Sequence, residues 1–143
     1  MKISTKTRHA LRMMLDFAAH QNDGFISLKE ISTRMNVSKT YLEQIMIHLN
    51  KTDMLTAARG ASGGYKLSRP ADKYSVGEIF RAIDGNISLA APDPTSDRSD
   101  IMSLTADEVW SSVERLVLEY LDSVTLQDII EKSSNYLGYD YNI

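Results

Sequence analysis

The segment from Leu28 to Ile47 constrains the fold more than any other, because it fits two short helices joined by a tight turn. Such a pair needs apolar residues where the helices lock together, a small residue where they cross, and a turn residue that tolerates the left-handed conformation. Ser32 stands at the crossing and Asn36 at the turn. The apolar positions fall in register at Ile31, Met35, Val37, Leu42 and Ile45. The segment therefore predicts a helix-turn-helix, and an ordinary helical hairpin inside a core is the alternative.

Helix-start signals divide the rest of the chain. A serine or threonine followed three residues later by glutamate forms a capping box, in which each side chain satisfies a free backbone N–H. Boxes begin at Ser27, Ser75 and Thr105, and Ser38 supplies a simple cap. With the apolar periodicity, these signals predict helices over residues 5–21, 27–36, 38–53, 75–85 and 105–122, and a short last helix from Thr125. Two short strands are predicted over residues 55–58 and 65–68.

The stretch RGASGGYKL, residues 59–67, joins the two predicted strands and has the glycine content of a phosphate-binding loop. A P-loop requires G-x-x-x-x-G-K-[ST], but Tyr65 stands at the position of the second glycine and Leu67 at that of serine or threonine. The dinucleotide pattern G-x-G-x-x-G fails as well. We therefore interpret the stretch as a hairpin wing whose glycines let its tip approach a DNA backbone. A bare surface hairpin is the alternative.

The second helix of a helix-turn-helix enters the major groove with its N-terminal residues leading. There, glutamine pairs with adenine and glutamate accepts a hydrogen bond from cytosine N4. An arginine at the base of the wing suits the negative potential of a narrow minor groove. His48 lies a turn too far along for base contact. The predicted DNA contacts of this helix and of the wing are Ser38, Lys39, Thr40, Tyr41, Glu43, Gln44, Arg59, Gly60 and Ser62.

The charge of the chain is divided unevenly. Residues 1–70 carry eleven Lys/Arg and five Asp/Glu, a net of +6, whereas residues 71–143 carry five and fourteen, a net of −9. This asymmetry indicates a basic half that meets a polyanion. Chance clustering of charges on solvated faces is the alternative.

Composition excludes several other functions. There is no cysteine among the 143 residues, which excludes disulfides and thiolate metal sites. No run reaches the ~18 apolar residues of a membrane helix. Arg12, Asp16 and His20 interrupt the apolar N-terminal stretch, so we interpret it as an amphipathic helix of a cytoplasmic protein that does not act at a membrane.

The order of the predicted elements is that of a winged helix-turn-helix followed by an accessory helix, a mainly α fold. The predicted division is a DNA-binding domain over residues 1–85, a linker over residues 86–103, and a C-terminal unit over residues 104–143 that carries the long helix, the short helix and a tail. The linker is rich in proline, aspartate and serine, which is typical of a loop.

Four segments resemble one known family: ISTKTRHALRMMLDFA, VSKTYLEQIM, RGASGGYKLSRPADKYSVGEIFRAIDG and DSVTLQDI. They are similar to the winged-helix repressors that include the iron–sulfur regulator IscR, the nitric-oxide sensor NsrR and the cysteine-metabolism repressor CymR. The resemblance spans nearly the whole chain. It implies a dimeric bacterial transcription regulator that binds an imperfect palindrome in double-stranded DNA.

The same resemblance implies the roles of particular residues. Groove and wing contacts carry over to Tyr41, Glu43, Gln44 and Arg59, and backbone contacts to Lys6 and Arg8. The long helix becomes the homodimerisation element, with a helix that covers only its own domain as the alternative. Its predicted interface residues are Val109, Val113, Leu116, Val117, Tyr120, Leu121 and Val124.

This chain departs from the cluster-binding members of that family. Those members carry three cysteines after the fourth helix, where this chain has NISLAAPDPTSDRSDIMS, with neither Cys nor His. No cofactor is therefore expected, and the resemblance is to the branch represented by the cysteine-metabolism repressor.

The last residues, Asp140, Tyr141, Asn142 and Ile143, resemble the tails of serine acetyltransferases, which insert into cysteine synthase. The cysteine-metabolism repressor has a similar end and is a partner of that synthase. The resemblance implies a peptide ligand through which the regulator reads sulfur status, and a frayed or self-packed terminus is the alternative. An enzyme is disfavoured because no nucleophile–base pair, metal-ligand spacing or nucleotide loop is present. A protein-interaction module with a degenerate DNA-binding domain is the remaining alternative.

Overall fold

The chain is mainly helical, as expected. The computed structural model describes residues 2–89, 91 and 93–140. Residues 139 and 140 are described without their side chains. Within that part of the chain six α-helices and one two-stranded antiparallel sheet follow one another. They are α1 (Thr5–Ala19), α2 (Leu28–Met35), α3 (Lys39–Leu49), β1 (Leu55–Ala58), β2 (Gly64–Leu67), α4 (Val76–Asp84), α5 (Ile101–Ser123) and α6 (Leu126–Asp140). The predicted winged helix-turn-helix with a long C-terminal helix is confirmed.

The turn between α2 and α3 has the predicted conformation. Asn36 is left-handed, with φ 55° and ψ 46°, and its N–H donates to the carbonyl of Ser32. The Val37 N–H also donates to that carbonyl at 3.2 Å, while the Ser32 hydroxyl donates back to the Val37 carbonyl. Ser32 therefore stabilises the turn through these hydrogen bonds, and its small side chain allows α3 to pack close to α2.

Helix α3 ends at Leu49, four residues before the predicted end. The Thr52 hydroxyl donates to the Leu49 carbonyl at 2.6 Å, and the Thr52 N–H donates to the same oxygen at 3.1 Å. A threonine that bonds a nearby carbonyl in this way competes with the helical ladder. The chain then turns through Met54 into β1.

The core lies where α1, α2, α3, α4 and the start of α6 meet. Tyr74 is fully buried, and its hydroxyl donates to the Met54 carbonyl at 2.6 Å and accepts from the Arg69 N–H at 3.0 Å. The other fully buried large side chains are Phe17, Met13, Met14, Ile31, Leu42, Ile45, Leu49, Ile79, Leu126 and Asp16. The α5 helix adds no buried residue to this core. No described helix is long and apolar enough to cross a bilayer.

The wing pairs with a third backbone segment, which the sequence pattern did not indicate. Ile26 and Tyr65 exchange two backbone hydrogen bonds, both 2.8 Å, so the segment before α2 pairs with β2. A Cβ on Gly64 would collide with the Ile26 carbonyl, and one on Gly63 would collide with the Ala58 carbonyl. Both glycines are thus required by the protein's own backbone. Gly60, at the wing tip, is different, because a Cβ added there meets nothing within 4 Å.

The predicted start of the long helix was wrong. Helix α5 begins at Ile101, because Asp100 caps it by accepting from the Met102 N–H at 3.1 Å and from the Ser103 hydroxyl at 2.7 Å. Thr105 lies inside the helix, where its hydroxyl donates to the Ile101 carbonyl at 2.8 Å. Asp100 provides the cap one turn before the Thr105 box, so that box does not mark the start.

The last helix begins where predicted but is longer. The Thr125 hydroxyl accepts from the Asp128 N–H at 3.0 Å, and the Asp128 carboxylate accepts from the Thr125 N–H at 2.9 Å. Helix α6 then continues for 15 residues rather than the short element expected. Its first residue, Leu126, is fully buried in the core and anchors the helix there.

A buried ion pair joins α1 to α2. The Asp16 side chain is 1% exposed, and Arg34 grips its carboxylate with Nη2 at 2.6 Å and Nε at 2.9 Å. Hydrogen bonding to Asp16 raises the pKa of Arg34. Arg12 and His20 stand farther from the same carboxylate, at 3.7 Å and 3.5 Å. The carboxylate is thus satisfied mainly by Arg34.

We predict that Arg34→Ala lowers the free energy of unfolding by about 3 kcal/mol, because it leaves a buried carboxylate without its main partner. The matched control is Arg12→Ala, which removes a more exposed and more distant cation and should cost about 0.5 kcal/mol. Urea unfolding followed by circular dichroism measures both. Equal losses in the two variants would contradict the importance of the Arg34 pair.

Candidate nucleic-acid interface

The exposed face of α3 begins at its N-terminus. Ser38 caps the helix, and its hydroxyl accepts from the Tyr41 N–H at 3.1 Å. Lys39, Thr40, Glu43 and Gln44 are exposed, whereas Tyr41 is half-buried. Leu42 and Ile45 point into the core, as predicted, and so does Leu49. The predicted groove residues therefore share one solvent-facing side of a helix whose opposite side is fixed.

One further residue of this side was not predicted. Ile47 is 59% exposed on α3, seven positions after Thr40 and three after Gln44. This spacing places all three on one helix face. An apolar side chain at such a position suits contact with a thymine methyl group in the major groove. The signal was the break in the apolar pattern, since Ile47 falls outside the core register.

Glu43 has a cation close by. The Lys39 Nζ lies 3.9 Å from its carboxylate, one turn earlier on α3, and both side chains are more than half exposed. An exposed pair of this kind contributes little to stability. The pair can therefore separate, so that Glu43 contacts a base edge and Lys39 a phosphate.

The start of α1 is held by α4. Ser4 caps α1, and the Ser4 and Thr7 hydroxyls donate to the Asp84 carboxylate at 2.9 Å and 2.7 Å. Partial burial of the carboxyl opposes its ionisation, but these hydrogen bonds outweigh that effect and lower the pKa of Asp84. The first turns of α1 therefore have a fixed position, with Lys6 half-buried and Arg8 exposed.

The starts of α1 and α3 meet through side chains. His9 Nδ1 lies 2.9 Å from the Tyr41 hydroxyl, and the two rings pack edge to face with centroids 5.3 Å apart. The sequence analysis gave His9 no role at the interface. The two residues are 32 positions apart, so no local pattern could have joined them.

The wing residues lie in the connection between the two strands. Arg59, Gly60 and Ser62 are all exposed there, and Gly60 has φ 106°, a conformation that favours glycine. At the base of the wing, Lys66 Nζ lies 4.6 Å from the centre of the Phe25 ring. The base is therefore packed, while the tip presents Arg59 to solvent.

The predicted dimerisation residues lie along α5 and at its C-terminal cap. Val109, Val113, Leu116 and Tyr120 are exposed, and Val117, Leu121 and Val124 are half-buried. The sequence analysis overlooked further exposed apolar residues on the same helix, Ile101, Met102, Leu104 and Trp110. Since the helix was expected to start at Thr105, three of the four fell outside it.

The predicted tail is described in part. Asp140 is the last residue of α6, and Tyr141, Asn142 and Ile143 lie outside the described residues.

The fold and the exposed helix face together define a class of protein, the winged-helix DNA-binding transcription regulators. Residues 3–132 match the Rrf2 family, described as iron-dependent transcriptional regulators. The chain belongs to the Rrf2 family. It is therefore a bacterial regulator of transcription whose partner is DNA, and its relatives are regulators rather than enzymes.

Individual relatives agree with this assignment. The chain is 36% identical to the HTH-type transcriptional regulator IscR of Cereibacter sphaeroides, covering 92% of this chain and 88% of the relative. Among solved structures, it is similar to CymR, the global cysteine regulator of B. subtilis, with a TM-score of 0.81, 34% identity, and 92% and 98% of the two chains covered. T. potens IscR is also similar, with a TM-score of 0.73, 33% identity, and 93% and 88% covered.

The residues of this chain do not fit an iron–sulfur cluster of the three-cysteine kind considered in the sequence analysis. The sequence contains no cysteine, and its three histidines are His9, His20 and His48, none of them between α4 and α5. Within the described part of the chain, no three potential ligands stand close enough together to hold a metal ion. A cluster held by thiolates therefore has no ligands here.

Proposed function

We propose that this regulator is a homodimeric repressor that binds an imperfect palindrome, with one winged helix in each half-site. The observation that supports this most directly is the exposed side of α3, where polar groups capable of base contact stand on a helix whose other side is buried. Helix α3 enters the major groove, and Thr40, Glu43 and Gln44 read base edges. Arg59 reaches the adjacent minor groove.

Phosphate contacts position the protein in this proposal. Lys6 and Arg8 stand at the start of α1, which Asp84 and His9 hold against α4 and α3. Ser38, Lys39, Tyr41, Gly60 and Ser62 flank the reading residues, at the cap of α3 and at the wing tip. Contacts of this kind fix orientation and carry little sequence information. Affinity then falls steeply with salt, because each bound Lys or Arg releases counterions.

We predict different effects for the two reading elements. Arg59→Ala should weaken binding to a selected genomic fragment by about tenfold through loss of the minor-groove cation. Glu43→Ala should leave affinity for random DNA unchanged or higher, because it removes a negative charge, yet reduce the preference for the selected fragment by about tenfold. Titrations of both DNAs at several salt concentrations provide the measurement.

The matched control for Arg59→Ala is Lys132→Ala, which removes an exposed cation from α6, away from the proposed interface. Its affinity should equal that of the unmodified chain. A loss of affinity at Lys132 as large as that at Arg59 would show that net charge, and not the wing, controls binding. Failure of the unmodified chain to prefer any fragment would instead support the protein-interaction module.

The proposed dimer forms through α5. Ile101, Met102 and Tyr120 are 77%, 83% and 68% exposed on a helix that contributes nothing to the core. An apolar surface of this extent is typical of an interface between protein chains. A twofold dimer also matches the symmetry of a palindromic site.

We predict that Val113→Asp combined with Leu116→Asp converts the dimer to a monomer and weakens DNA binding by about tenfold or more, because two linked half-sites bind far more tightly than one. Stability of the fold should change little, since both positions are exposed. Analytical ultracentrifugation and DNA titration measure the two effects. The control is Ser111→Asp, on the polar side of α5; a monomer there too, or a dimer that survives both aspartates, would contradict the assignment.

The proposed function extends to the control of sulfur metabolism. The structural similarity to CymR, the global cysteine regulator of B. subtilis, supports a role in controlling cysteine metabolism. Residues 140–143 then serve as a peptide ligand for a cysteine synthase. Deleting Ile143 should abolish binding to the synthase in calorimetry while DNA binding stays intact; undiminished affinity would show that the tail is not the ligand.

A further inference from the structure

The hydrogen bond between His9 and Tyr41 joins two elements of the proposed interface at one point. His9 belongs to α1, next to Arg8, and Tyr41 belongs to the first turn of α3. The distance of 2.9 Å between His9 Nδ1 and the Tyr41 hydroxyl is that of a well-formed hydrogen bond. The ring planes are 88° apart, which is an edge-to-face arrangement. Tyr41 is half-buried, so part of the residue is open to solvent.

The direction of this hydrogen bond determines what Tyr41 offers to DNA. A tyrosine hydroxyl has one proton, and imidazole Nδ1 either donates or accepts, depending on where its own proton sits. If Nδ1 accepts, the Tyr41 proton is used and the hydroxyl presents only lone pairs outward. If Nδ1–H donates, the hydroxyl oxygen accepts from His9 and its proton is free to point outward.

The chemistry of DNA distinguishes these two arrangements. Phosphate oxygens only accept hydrogen bonds, and guanine N7 and O6 are likewise acceptors. An outward-pointing Tyr41 proton can bond any of these groups, whereas outward lone pairs meet another acceptor. Most protein–DNA hydrogen bonds go to phosphate and sugar oxygens, so a phosphate is the expected partner of the Tyr41 hydroxyl.

We propose that His9 is a positioning residue for DNA recognition: its Nδ1–H donates to the Tyr41 oxygen, so that the Tyr41 hydroxyl donates to an acceptor on the DNA backbone. This inference rests on the proposed DNA-binding function of the α3 face. His9 itself touches no DNA. It orients Tyr41, and it couples the phosphate-contacting start of α1 to the recognition helix.

Three variants test the proposal on the genomic fragment that the unmodified chain binds best. His9→Leu removes the bond and should weaken binding by about five- to tenfold, the usual effect of one lost hydrogen bond. Tyr41→Phe keeps the ring, removes the hydroxyl and should cause the same loss. His9→Asn retains a donor near the position of Nδ1 and should bind within about twofold of the unmodified chain.

Two readouts separate positioning from a general loss of structure. In the Tyr41→Phe background, His9→Leu should cause no further loss, because the two changes remove the same bond. The slope of log affinity against log salt should not change in any variant, because no charged phosphate contact is lost. His20→Leu is the matched control, a histidine of the same region that bonds the Asp16 carbonyl instead of α3, and its DNA affinity should be unchanged.

The outcomes are distinct. The positioning role is overturned if His9→Leu binds DNA as tightly as the unmodified chain. It is also overturned if His9→Asn binds as weakly as His9→Leu. Additive losses of affinity in the double variant, His9→Leu with Tyr41→Phe, overturn it as well. If His9→Leu proves too unstable to measure, the Tyr41→Phe and His9→Asn affinities decide alone: a loss for the first and retention for the second support the proposal, and any other pair overturns it. Absence of salt-dependent DNA binding by the unmodified chain would overturn the proposed function itself.

Discussion

The structure depends on a carboxylate that has no access to water. Asp16 lies on the inner side of α1, and Arg34 of α2 closes over it with a two-pronged hydrogen bond. Burying this charge is unfavourable unless the partner is held in good geometry, so the pair fixes how α1 and α2 meet. The left-handed Asn36 then sets α3 against α2. The ion pair and the turn therefore add two specific constraints to the orientation that the shared hydrophobic core gives α1, α2 and α3.

The long helix α5 leaves apolar side chains uncovered. Over 23 residues, α5 buries none of its side chains, although its C-terminal end is attached to the core. Asp100 caps the first end, and at the second the backbone of Val76 donates to the Val124 carbonyl while Leu126 donates to the Tyr74 carbonyl. Tyr74 also holds Arg69 and Met54 at the base of the wing. An exposed apolar surface of this kind is typical of a site that contacts a further protein surface.

Sequence patterns predicted features that are local. Asn36 in the turn, the reciprocal cap at Ser75, and the two strands of the wing all follow from residues within a few positions of one another. The start of α5 was placed about one turn late, because Asp100 and Thr105 both satisfy cap patterns and the sequence pattern alone does not rank them. The contact of His9 with Tyr41 joins residues distant in sequence, so no periodicity marks it. Gly63 and Gly64 were attributed to close approach of DNA, whereas each avoids the chain's own backbone.

The uneven charge of the chain gains a physical meaning from this arrangement. The net charge of +6 belongs to the residues that build α1, α2, α3 and the wing, and the net charge of −9 belongs to α4, α5, α6 and their connections. DNA phosphates attract the first group and repel the second, so the field of the protein favours approach through the winged helix. The helix proposed for dimerisation, α5, lies in the acidic part of the chain. The charge distribution therefore separates the surface proposed to read DNA from the surface proposed to pair two chains.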